Sequence, residues 1–285
     1  MVVTIVVVDD GSSDGTKNVA LASGADEVVR HAGRRGLARA FQTGLDHCLA
    51  SGADWIVNID ADGQYRGEDI PALLMPLVTG QSDIVIGDRQ VRTVEHFSAR
   101  KRAMQRFGSW VVQQAAGIKI ADAVSGFRAY TREAALHIFV SAKFSYTVET
   151  LIQAGKHGLV IASVPITTNL TTRPSRLHNG SIDFVVRQAL ILIRTYATYE
   201  PLRTFGVASL PFGIVASILL GRLIFIATFS GEIIGHIQSL VTGLVSLMIA
   251  VLLFAIGVIG DRILEQRLLI EAVLAHTRQV VLKSK

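Results

Sequence analysis

Apolar residues follow two different patterns along the chain. In the first part they form short β-branched runs that end in acidic or glycine turns. Residues 4–8 stop at Asp9-Asp10-Gly11, residues 55–59 at Asp60-Ala61-Asp62-Gly63, and residues 83–86 at Gly87-Asp88-Arg89. Runs of this kind, punctuated in this way, read as strands. Between them, residues 34–51 and 70–79 read as helices. Strands alternating with helices predict an α/β layer fold with a mostly parallel sheet. In such sheets ligands sit beyond the carboxyl ends of the strands, where these acidic turns fall. Further on the pattern changes. Between residues 204 and 260 the only formal charges are Arg222 and Glu232. Segments 205–229 and 233–259 each exceed the roughly 20 apolar residues that cross a bilayer. A tight connection at Ser230-Gly231-Glu232 makes them a helical hairpin, with Pro211 tolerated inside the first span and Arg222 snorkelling or facing a partner helix.

Composition supports the membrane reading. Of 285 residues, 50% are hydrophobic and only 18% charged, against about 25% in a typical soluble domain. The net charge of +5 suits an anionic partner such as nucleic acid, anionic lipid or a phosphorylated substrate. The single cysteine, Cys48, excludes an internal disulfide framework and a cysteine-based zinc site. Residues 1–10 lack the basic n-region of a signal peptide. Arg262, Arg267, Arg278, Lys283 and Lys285 follow the second span, Arg173, Arg176, Arg187, Arg194 and Arg203 precede the first, and the connecting loop has no Lys or Arg. The positive-inside rule then places both termini and the α/β domain in the cytoplasm. Asp183, Arg187, Arg194 and Thr198 fall near one stripe of an otherwise apolar segment, residues 182–199, the pattern of a helix lying in the interface or of a buried core helix. Arg100, Lys101, Arg102 and Arg106 form a basic cluster suited to a lipid head group or to a solvated helix face.

Asp60 and Asp62 are the central chemical feature. Two carboxylates just past a strand can hold one hard divalent cation, and Mg²⁺ prefers few protein carboxylates plus phosphate oxygens. Gln64 is placed to add an amide oxygen. Taken alone, such a pair is often a solvated turn. Two further turns accompany it: Asp9 to Thr16 after the first strand, and Asp122-Ala123-Val124-Ser125-Gly126-Phe127-Arg128.

Together these motifs resemble family 2 glycosyltransferases of the GT-A fold, and within them the membrane-anchored polyprenyl-phosphate, dolichol-phosphate mannosyltransferase-like group. The resemblance rests on VVVDDGSSDGT (6–16), DADGQ (60–64), GDR (87–89), DAVSGFRAY (122–130), YTVETLIQA (146–154), VPITT (164–168), TRPSRL (172–177) and GHIQSL (235–240). It implies a Rossmann-like GT-A domain over residues 1–175, a basic loop and interfacial helix over 176–203, two transmembrane helices within 204–260, and a cytoplasmic C-terminal helix over 261–285. It further implies that Val8 and Asp10 line the nucleotide pocket, and that Asp60 and Ala61 face the nucleotide sugar. Asp62 is then the main ligand of Mg²⁺ or Mn²⁺, helped by Asp60 and Gln64. Arg89 touches the diphosphate or the acceptor phosphate. Asp122 is a base or a sugar-orienting carboxylate, and Arg128 and Glu149 share its cleft, with Asp62, Asp122 and Arg128 forming the catalytic set. Arg173 and Arg176 close over phosphates, and Arg100 and Arg102 bind the lipid phosphate. The reaction implied is inverting transfer of a sugar from a nucleotide-diphospho-sugar to a polyprenyl phosphate for cell-envelope glycan or glycoprotein synthesis. The partners are those two substrates and the membrane, with no nucleic acid and with room for a homo-oligomer.

One departure stands out. Relatives begin with a strand and helix carrying a Pro-x-x-Asn-Glu-like motif, and here Met1 falls directly before what corresponds to their second strand. A catalytically impaired, truncated membrane-bound homologue is therefore an alternative, as is a transferase acting on another lipid or polysaccharide. A processive polysaccharide synthase calls for a Gln-x-x-Arg-Trp motif, and neither Trp55 nor Trp110 ends one. Nucleic-acid modules, Walker A and GxGxxG sequences are lacking.

Overall fold

The computed structural model describes residues 3–90, 113, 117, 120, 122–140, 146–169, 194, 196–229 and 236–283. The chain forms two units, one of Met1–Leu177 with Ile270–Lys285, the other of His178–Leu269.

In the first unit, β1 (Val6–Asp9), α1 (Thr16–Ala22), β2 (Glu27–Arg30), α2 (Leu37–Ala50), β3 (Trp55–Asn58), α3 (Ile70–Val78) and β4 (Ile84–Asp88) follow the predicted alternation. Then come β5 (Arg128–Thr131), α4 (Arg132–His137), α5 (Tyr146–Lys156) and β6 (Ile161–Pro165). The expected strands and helices are present with ends shifted by a few residues. A four-stranded sheet has the order β3-β5-β4-β6, and β1 and β2 form a separate parallel pair. The expectation of a mostly parallel sheet needs correction. β4 and β6 are parallel, but β5 runs antiparallel to both β3 and β4, so the larger sheet is mixed. β5 follows directly on the Asp122–Phe127 turn.

Burial follows from the pleat. Along β4, alternate residues point to opposite faces: Ile84 joins a core with Phe41, Leu45, Leu49, Ile56, Tyr130 and Tyr146, while Val85 joins one with Leu73, Leu77, Phe127 and Ile166. Helices therefore cover both faces. Phe41, Leu45 and Leu49 recur at the helical four-residue spacing that gives α2 its apolar stripe, and Cys48 packs against the same core as a half-buried filler. β1 is less protected: Val6, Val7 and Val8 are half-buried, whereas Ile84, Val85 and Ile86 are fully enclosed. Among the described residues, β1 pairs only with β2, and β3 only with β5.

α6 (Pro201–Phe229) belongs to the second unit, and α7 (Ile237–Lys283) belongs to the second as far as Leu269 and to the first from Ile270; among the described residues, both are long and apolar enough to cross a membrane. Their apolar side chains face outward, as with Val207, Leu210, Ile214 and Ile218 on α6. Pro211 lies within α6 without ending it, and Arg222 is exposed on the same helix. The second helix corrects the expected boundary at residue 260. α7 is unbroken through that point, so residues 261–283 continue it rather than form a helix of their own. The connection at 230–232 and most of the expected interfacial helix lie outside the described residues.

Candidate active site at the strand carboxyl ends

Strand register assembles the site. Arg128, which opens β5, pairs with Asn58 at the end of β3 and with Ile86 near the end of β4. Because β5 is antiparallel, the turn before it, Asp122 to Phe127, lies at the same end of the sheet as the turns after β3 and β4. Asp60, Asp62, Arg89 and Asp122 are thereby gathered from three separate stretches of sequence.

Asp122 and Arg89 form a bidentate ion pair. Arg89 Nε donates to Asp122 Oδ2 at 2.7 Å and Arg89 Nη2 to Oδ1 at 3.0 Å. Both side chains are largely enclosed, at 19% and 6% exposure. Burial alone lowers the affinity of Arg89 for its proton, but the hydrogen bonds and charge of Asp122 outweigh it and push the guanidinium pKa up. Fork-to-carboxylate pairing fixes orientation as well as charge, so Asp122 aims Arg89.

Asp60 is half-buried. Tyr146 Oη lies 3.2 Å from Asp60 Oδ1, and Asn58 Nδ2 donates to Gly126 O at 2.7 Å and to Tyr146 Oη at 3.1 Å. Burial pushes the Asp60 carboxyl above the usual carboxylate range, and the charge of Asp62 adds to that. Burial, with Asp60 and Tyr130 nearby, also drives the Tyr146 phenol upward, so it stays protonated. Gly126 has no substitute here: a Cβ on it would sit 2.8 Å from Tyr146 Oη and 2.9 Å from Asp60 Cγ. Asp62 is exposed, and its Oδ1 accepts the Gln64 N–H at 3.0 Å. Asn169 fastens this turn from behind, with its N–H on Gln64 O at 2.9 Å, Nδ2 on Gly63 O at 3.1 Å, and Oδ1 accepting from Arg66 Nε at 2.9 Å. Asp60 and Asp62 are thus the carboxylate donors available to a cation, and among the described residues no three metal-ligating side chains cluster.

The turn after β1 is organised by its own carboxylates. Asp10 accepts from His31 Nδ1 and from the Arg35 and Gly36 N–H groups, each at 2.8 Å. Burial raises its pKa, but these three bonds prevail and hold the carboxyl below its ordinary value. Asp9 accepts the Ser12 N–H at 2.8 Å and meets Arg30 Nε at 3.3 Å. Gly11 adopts φ +71°, and a Cβ there would lie 2.6 Å from the Gly33 carbonyl carbon, so glycine lets the two turns close on each other. Val8 is half-buried, and Ala61 is exposed.

Arg128 is a correction. Expected in the cleft, it is completely enclosed. Its Nε donates to Ser125 O at 2.8 Å, Nη1 to Thr147 O and Thr150 Oγ1 at 2.7 Å, and Nη2 to Ala123 O at 2.8 Å. It is a positioning residue that ties the Asp122–Phe127 turn to α5. Glu149 is buried on α5 as well. Arg100, Arg102, Arg173 and Arg176 lie outside the described residues. Sequence reasoning passed over Asn58, Tyr146, Asn169 and His31. A polar Asn58 ending an apolar strand was a usable signal, as was Tyr146 at the head of the 146–154 motif.

The chain is similar to known proteins in sequence and, separately, in fold. The glycosyl transferase family 2 profile matches residues 1–139. Glycosyltransferase AglJ of Haloferax volcanii is 30% identical over 271 residues, covering 91% of this chain and 84% of that protein. Polyprenol monophosphomannose synthase of Mycolicibacterium smegmatis is 33% identical over 176 residues, covering 58% of this chain and 66% of its own. The glucosyl-3-phosphoglycerate synthase of Mycobacterium tuberculosis, solved with Mn²⁺, uridine diphosphate and phosphoglyceric acid, superposes with a TM-score of 0.52 at 22% identity, over 70% of this chain and 68% of that one. That likeness extends to the fold.

Proposed function

Because the chain belongs to glycosyl transferase family 2, we propose that it transfers a sugar from a nucleoside-diphosphate donor to the phosphate of a membrane polyprenyl phosphate, with inversion at the anomeric carbon. The observation that carries this reading is the convergence of Asp60, Asp62 and the Arg89–Asp122 pair at one end of the sheet. The name of the mycobacterial polyprenol monophosphomannose synthase supports a polyprenyl phosphate acceptor, and the helices α6 and α7 support a membrane location.

Asp60 and Asp62 fit a divalent cation, Mg²⁺ or Mn²⁺, with Gln64 adjoining. They are two hard oxygen donors, fewer than a closed protein site needs, so a cation held here would draw its remaining ligands from donor phosphate oxygens or water. Burial, with the charge of Asp62 added, makes ionised Asp60 costly, and a bound cation would offset that cost. When bound, the cation neutralises charge on the departing diphosphate. Asp62, exposed at the mouth, meets the donor. Arg89, aimed by Asp122, adds a fixed positive charge toward the phosphates. Asp10 holds the 31–36 turn as a wall of the nucleotide end, which Val8 also lines. Asp122 has both oxygens engaged by Arg89, so it orients rather than removes a proton. The acceptor needs none removed by a strong base, since a phosphate monoester loses its second proton near pH 6. Arg173 and Arg176 cover the phosphates, and Arg100 and Arg102 meet the lipid head group. The catalytic unit and both termini face the cytoplasm, where nucleotide sugars are made.

The test is incubation of membranes containing the full chain with Mn²⁺ or Mg²⁺, polyprenyl phosphate and a panel of labelled nucleotide sugars. Label entering the organic phase in an Asp62-dependent manner supports the proposal. No labelled lipid with any donor removes it, and activity retained in Asp62→Ala removes the assigned cation site.

A further inference from the structure

Tyr146 touches the site from a distant part of the chain. It opens α5, is 2% exposed, and its ring stacks on Phe41 at 4.3 Å with the planes 15° apart. Stacking fixes the ring and therefore the place of its hydroxyl. A phenol has one proton to give. The Asn58 amide donates to Tyr146 Oη at 3.1 Å while its other N–H is held by Gly126 O at 2.7 Å. With an acceptor direction thus occupied, the hydroxyl proton is left for Asp60 Oδ1 at 3.2 Å. On its other side the Asp60 carboxylate lies against Gly126, where not even a Cβ fits. One oxygen is held by a donor and the group is walled in by backbone, so rotation of the carboxylate is restricted.

We infer that Tyr146 is a positioning residue that orients the Asp60 carboxylate toward the donor-bound cation, and that Asn58 sets the direction of the Tyr146 proton. The inference rests on the proposed assignment of Asp60 to that cation. Partners in the shell behind a ligand hold its lone pairs in line, and their removal weakens metal affinity by about 10–100-fold. A residue present only for packing leaves metal affinity untouched when its ring is kept.

The test uses the full chain in detergent, with Mn²⁺ as probe and UDP, GDP, CDP or ADP as the diphosphate partner, bound Mn²⁺ being read by electron paramagnetic resonance. Tyr146→Phe keeps the ring stack and removes the donor. It should weaken Mn²⁺ binding about tenfold and raise the Mn²⁺ concentration for half-maximal turnover in parallel, with most of the maximal rate recovered at saturating Mn²⁺. Its melting temperature should remain near that of the unaltered protein. Asn58→Ala keeps the hydroxyl but frees its direction, and should give a shift in the same sense of about threefold, below the full loss. Unchanged Mn²⁺ affinity in Tyr146→Phe overturns the inference while leaving the cation site standing, as does a loss of affinity explained by unfolding. The parent reading fails separately: Mn²⁺ then fails to bind the unaltered protein with any of the four nucleotides, or binds Asp60→Ala equally well.

Discussion

Replacing Arg128 by methionine separates a structural arginine from a catalytic one. The guanidinium is fully enclosed and donates to three backbone carbonyls and the Thr150 hydroxyl. A hydrogen bond to a charged group is worth about 1.5–3 kcal/mol, and the gross gain is offset by the several kcal/mol it costs to bury the charge. Removing one side of such a buried arrangement leaves the other side unpaired and costs about 3–5 kcal/mol net. For a unit of this size that amounts to a melting temperature lower by roughly 6–20 °C. Lysine offers a single nitrogen and cannot span acceptors on opposite sides of a planar fork, so Arg128→Lys should recover only part of the loss. The assay is thermal and proteolytic stability of the full chain in native membranes, measured beside sugar transfer, with Asp62→Ala as a comparison that loses transfer without losing stability. If Arg128→Met melts within a degree or two of the unaltered protein yet transfers nothing, the argument is refuted and Arg128 acts on substrate.

Three further outcomes follow from the same geometry. Gly126→Ala forces a methyl against Tyr146 Oη and Asp60 Cγ, an overpacking of about 1–3 kcal/mol. Transfer should fall at least tenfold with the fold retained, and near-normal rates would show that the carboxylate has room to move. A double-mutant cycle of Arg89→Lys and Asp122→Asn should give a coupling of about 2 kcal/mol in kcat/KM, and additive effects would mean the two side chains act apart. Asp10 has its folded pKa depressed, so its contribution to stability is complete above the unfolded carboxylate value of about 3.9 and is lost as pH falls through the folded pKa. Hydrogen exchange at the Arg35 and Gly36 amides should therefore be faster in Asp10→Asn at neutral pH, with the difference from the unaltered protein shrinking toward pH 3. A difference that persists undiminished would assign the effect to something other than the carboxylate.

Much of this site is legible in the sequence because its chemistry sits at strand ends. A β-branched run followed by Asp60-Ala61-Asp62, or by Asp9-Asp10-Gly11, marks both the strand and the place where a ligand meets it. The two long apolar segments are equally plain, since length and absence of charge are properties of composition. What escaped depends on long-range pairing. β5 enters antiparallel between β3 and β4, a fact set by a register that no local pattern encodes. Arg128 reads as a cleft residue from its motif, and only the enclosing carbonyls reverse that. Tyr146 reaches Asp60 across a separation of 86 residues, and an aromatic residue at the head of an amphipathic helix looks like core. The boundary at residue 260 was drawn where charges return, but good helix formers on both sides keep α7 continuous.

The central claim is that a lipid phosphate, held at the membrane, attacks a sugar on a nucleoside diphosphate. The most direct measurement supplies polyprenyl phosphate and its dephosphorylated polyprenol side by side to membranes containing the full chain, with a labelled nucleotide sugar and Mn²⁺. Lipid-extractable label should appear with the phosphate alone, matched mole for mole by released nucleoside diphosphate and absent in Asp62→Ala. Label appearing equally on the free polyprenol, or only in water-soluble product, would contradict that claim.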